Sequence, residues 1–155
     1  MCWVCSPNKF KLIKADKEIT VYKVVKIIDN KVCSPFRRTF SSWRKESMCE
    51  AELNIYHIQD KYMTEEDFLV GEEGFHSYAN YPRIESICEF QSFKFNDSPT
   101  GCFIATKYNL MKCVIPEGAH YSINNYDEVI SDALIPKAIF RYIDDKIVEI
   151  HPIFF

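Results

Sequence analysis

Between Glu18 and Ile28, Ile19, Val21, Lys23 and Val25 alternate with Thr20, Tyr22, Val24 and Lys26. Val, Ile, Thr and Tyr suit a pleated ladder, and both faces are partly apolar, which predicts a central strand rather than an edge. Asp29-Asn30 supplies a turn pair and Lys31 to Cys33 a short return strand. Pro35 then restricts Ser34 and removes a donor, which ends the pattern. Leu53, Ile55 and His57 alternate with Asn54, Tyr56 and Ile58, predicting a strand over 52–58. Met48, Ala51, Ile55 and Ile58 also fit one helical stripe, so this segment has two readings. Thr64-Glu65-Glu66-Asp67 reads as a helix start, with Thr64 as cap and acids at the positive end of the dipole. Gly71 ends that helix after a turn or two.

In the second half, Gly74-Phe75-His76-Ser77-Tyr78 reads as a strand with Phe75 and Ser77 on one face and His76 and Tyr78 on the other. Asn80 and Pro82 can open a helix, and Ile84, Ile87 and Cys88 recur at helical spacing, which predicts the main helix over 81–92. Asn96 to Gly101 is a loop. Around Met111 to Ser122 the pattern is strand, turn, strand: the apolar run stops at Pro116, Glu117-Gly118 turns the chain, and Ala119 starts again. Asn124-Asn125 is a further turn. Val129 to Ile135 and Ala138 to Ile143 read as strands interrupted by Pro136, and Lys146 to Ile150 as the last strand of a hairpin. The expected fold class is therefore α+β. Residues 1–155 would form a single compact domain, mainly antiparallel β-sheet, with one main helix and short helical turns.

Composition narrows the function more than the fold. With 155 residues and 47% hydrophobic content, the chain can bury a core as one domain. Only 4 residues are Gly, which disfavours glycine-rich phosphate loops. The net charge of −3 gives no support for non-specific nucleic-acid binding, although Arg37, Arg38, Arg44 and Lys45 form a local basic patch. No apolar run approaches a membrane span, and the first residues show no basic region followed by a long apolar one, so neither a membrane anchor nor a signal peptide is expected. Seven scattered cysteines fit reduced thiols in a cytoplasm. Cys2 and Cys5 have a spacing that can hold zinc or a redox disulfide, but no second pair of ligands follows at close spacing, and no metal is expected. The bland alternative is two small apolar side chains packing an N-terminal segment.

His76 is the leading candidate for chemistry, as a ligand for a carboxylate, phosphate or base, or as a general base. A half-buried histidine donating to a carbonyl is the alternative. Tyr22, Lys23, Tyr78 and Tyr121 are the candidates to line a ligand cleft with it, and core packing is the competing role for each tyrosine. Phe36 to Trp43 mixes rings with arginines and can stack on a nucleotide or simply cover the surface. Glu72 and Glu73 have no apolar surroundings to raise a pKa and are read as solvated. Cys88 or Cys113 as a histidine-activated nucleophile has no support from spacing. No Walker loop, Rossmann fingerprint, H-E-x-x-H or G-x-S-x-G occurs.

Val21-Tyr22-Lys23-Val24, Ser34-Pro35-Phe36, Gly74-Phe75-His76-Ser77-Tyr78, Cys113 to Tyr121 and Ser131-Asp132 together resemble small proteins of Bacteroidota-type bacteria and their phages. That resemblance implies a compact domain and no defined activity. Ile115-Pro116-Glu117-Gly118 and Glu128-Val129-Ile130, with Tyr22 or Lys23 and His76 before them, are also similar in order to mono-ADP-ribosyltransferases. That likeness implies an NAD-using transferase or glycohydrolase in which Glu128 orients the nicotinamide ribose. The chain lacks the family's Ser-Thr-Ser stretch. The leading expectation is a non-catalytic module that binds a small molecule, a nucleotide or a protein, as in phage–host interaction. The NAD enzyme, with His76 and Glu128 as catalytic candidates, is the second, and a structural or assembly component the third.

Overall fold

Alternating apolar and polar residues become strand throughout the described chain, which in this computed structural model comprises residues 3–34, 42–59, 67–79, 108–143 and 146–155. The strands are β1 (Trp3–Cys5), β2 (Ile13–Lys14), β3 (Ile19–Ile28), β4 (Lys31–Cys33), β5 (Cys49–Glu50), β6 (Asn54–Gln59) and β7 (Asp67–Glu73). They continue as β8 (Phe75–Tyr78), β9 (Tyr108–Ile115), β10 (His120–Ile123), β11 (Glu128–Ser131), β12 (Ala133–Ile143) and β13 (Lys146–Ile150).

The expected α+β class is corrected to all-β, because no helix occurs among the described residues. The main helix expected over 81–92 lies outside them, as does Thr64. The short helical turn expected from Thr64 to Gly71 is overturned where it can be seen, since Asp67–Glu73 is strand β7. The reason is tertiary. β7 is the middle strand of a three-stranded sheet, paired to β1 on one side and β6 on the other. Two ladders outweigh a local capping signal. Leu69 and Val70 are both buried, as a strand covered on both faces requires. Pro136 does not interrupt the next predicted pair either. The break falls at Asp132, and β12 runs through Pro136, whose carbonyl accepts from the Glu46 N–H at 2.9 Å. A proline ends a strand only where its missing N–H is needed by the ladder.

The chain forms two compact units. The first draws on Met1–Val21, Met48–Ala79 and Val114–Ile135. It holds the β1-β7-β6 sheet and the run β8-β11-β10-β2. Its core cluster is Trp3, Cys5 and Ile130, with Phe10, Leu53 and Ile55 packed against it. Trp3 is fully buried and meets Phe10 edge to face, with ring centroids 6.2 Å apart. Its indole N–H donates to the Glu128 carbonyl at 3.0 Å. Gly71 lies where a Cβ would meet the tip of the Ile130 side chain, so the missing Cβ leaves room for that side chain against β7.

Asn124 organises the β10–β11 turn. Its side-chain oxygen accepts from the N–H groups of Tyr126 and Glu128, at 2.9 and 3.0 Å, and its amide donates to the Val4 carbonyl at 2.9 Å. Asn124→Ala removes all three bonds and takes the partner from three part-buried backbone groups. It is expected to destabilise the protein by about 1–3 kcal/mol in a urea titration.

The second unit draws on Tyr22–Ser47, Asn80–Cys113 and Pro136–Phe155. Its strand order is β13-β12-β9-β3, with β4 also paired to β3. The β3–β4 hairpin closes on Asp29 and Asn30 with φ of 50° and 61°. Two left-handed residues in a two-residue loop match the twist of the flanking strands. Trp43 is buried, its backbone N–H donates to the Val32 carbonyl at 2.9 Å, and the Lys23 ammonium sits 5.7 Å from its ring centroid.

Candidate functional site

β10 and β11 form a hairpin whose register pairs Tyr121 with Ser131, Ser122 with Ile130 and Ile123 with Val129. One step further from the turn, His120 faces Asp132. The His120 backbone N–H donates to Asp132 Oδ1 at 2.9 Å, and the imidazole Nδ1 lies 3.3 Å from Oδ2. The Asp132 N–H donates back to the His120 carbonyl at 3.1 Å, and the Asp132 carbonyl accepts from Ala51 at 2.8 Å. A carboxylate can only accept, so this contact is a hydrogen bond when Nδ1 carries the hydrogen, and the tautomer with its hydrogen there presents Nε2 as an acceptor. The His120 side chain is 46% exposed and that of Asp132 29%. On the other side of β10, Lys14 of β2 is the register partner of His120 and is also exposed. The arrangement is an oriented imidazole at a strand position whose register partner is a lysine.

The register also sorts the residues singled out from sequence. β8 pairs with β11 so that His76 faces Ile130 and Tyr78 faces Glu128. Partners in a ladder share a face, so His76, Tyr78 and Glu128 lie on one side of the sheet. Ser131 faces both Phe75 and Tyr121, which puts Tyr121 on the opposite side. The sheet therefore brings His76 together with Glu128 and separates both from Tyr121. The side shared by His76 and Glu128 is the one Ile130 uses to reach Trp3 and Cys5. Tyr78 is buried, while His76, Glu128 and Tyr121 are half-buried. Tyr22 and Lys23 belong to the second unit, where Lys23 meets the Trp43 ring.

Of the sequence-derived basic patch, Arg44 and Lys45 are exposed, and Arg37 and Arg38 lie outside the described residues. Cys2, Cys88 and Cys102 also lie outside them. The described cysteines Cys5, Cys33, Cys49 and Cys113 carry reduced thiols. Burial pushes the Cys5 thiol up, opposed in part by Lys9, and burial pushes up Cys49 as well. Both shifts favour the neutral thiol over the nucleophilic thiolate. Among the described residues no group of three or more His, Cys, Asp or Glu could hold a metal ion.

His120 and Asp132 both fall in segments that stand out in the sequence, yet their pairing does not. The usable signal is the Asn124-Asn125 turn, from which counting outward along two strands brings 120 and 132 together. Comparison with protein-family models, with curated proteins and with solved structures finds no match to this chain.

Proposed function

We propose that this chain is a non-catalytic binding domain whose first unit takes a nucleotide-like small molecule at His120. The observation that carries this reading is the exposed His120 ring, fixed by Asp132 next to Lys14. An exposed side chain held in one orientation loses less entropy when it binds, which is the advantage of preorganisation. Nε2 offers an acceptor and Lys14 a cation. A nucleotide supplies the complementary pair, a base N–H and a phosphate, in one molecule. The raised thiols of Cys5 and Cys49 support binding over nucleophilic catalysis.

The test is a thermal-shift screen of the whole chain against NAD, ADP-ribose and linear and cyclic nucleotides. A ligand at about a hundred times its dissociation constant stabilises the fold by ~2.7 kcal/mol. The expected result is a hit that His120→Ala abolishes and Asp132→Asn weakens. A flat screen, or a hit indifferent to His120, overturns the reading.

One observation favours the NAD-using enzyme as a second reading: His76 and Glu128 share a face on neighbouring strands. That reading expects nicotinamide release from NAD that Glu128→Gln removes. No release by the wild-type protein would eliminate it.

A further inference from the structure

We draw no further inference here: the strongest candidate, the apolar surface patch on the outer face of the β1-β7-β6 sheet where exposed Val4 and Tyr56 flank Val70, carries nothing because no observation among the described residues shows what covers it.

Discussion

Trp3→Ala is expected to destabilise the protein by about 3–5 kcal/mol, the cost of deleting a large ring from a packed core. It shows as a lower urea midpoint at unchanged slope. Three losses coincide at this residue. The ring is fully buried in the cluster with Cys5 and Ile130, it meets Phe10 edge to face, and its N–H satisfies the Glu128 carbonyl. Trp3→Phe separates them. It keeps most of the packing, removes the donor, and is expected to cost about 0.5–1.5 kcal/mol for the hydrogen bond, beyond the smaller ring's lost volume. A Trp3→Ala variant within 1 kcal/mol of wild type, a margin well below any large-to-small core change, would mean that β1 does not hold the first unit together.

Gly74→Ala is the second large effect. Gly74 has φ of +128°, a conformation that residues with a side chain rarely adopt. A Cβ there would lie 2.7 Å from Leu53 Cδ2, 2.9 Å from Ile130 Cγ1 and 3.2 Å from the Ser131 carbonyl oxygen. The backbone contributes about 1–3 kcal/mol of strain. The overpacking contributes about 1–3 kcal/mol more, since neither the Ser131 backbone nor the buried Ile130 can move aside freely. Gly118→Ala is the internal control. Its φ is +88° and a Cβ there meets nothing within 4 Å, so it reports backbone strain without packing. The two variants are compared by denaturant midpoint. Equal destabilisation would show that the crowding at Gly74 relaxes without cost.

These predictions mark where local pattern and long-range structure part company. The β3–β4 hairpin was readable because every element of it is local: an alternating run, two turn residues and a short return. β7 was not, because Thr64-Glu65-Glu66-Asp67 is a local helix signal, whereas β1 and β6 pair with β7 from elsewhere in the chain. The strand break at Asp132 rather than Pro136 has a similar origin, since the Asp132 backbone and carboxylate are held by His120 and Ala51. The parity of His76 and Tyr78 within one strand was legible. Their relation to Tyr121 was not, because it passes through two ladders whose registers only the folded sheet defines. His120 does not stand out beside the more conspicuous Gly74 to Tyr78 segment for the same reason: its distinguishing partner is twelve residues away across a hairpin.

The bond from Trp3 to Glu128 spans 125 residues of sequence. During synthesis at about 5–20 residues per second, the tryptophan is incorporated roughly 6–25 seconds before the residue whose carbonyl will receive its N–H. Ile130, the central member of the same cluster, arrives later still. Until then β1 and its aromatic side chain have no native burial site, and the nascent chain displays them to the cell. Holdases that bind exposed aromatic segments are therefore expected to be retained on this polypeptide until translation passes β11, and a faster-translated message would shorten that interval without changing a single residue.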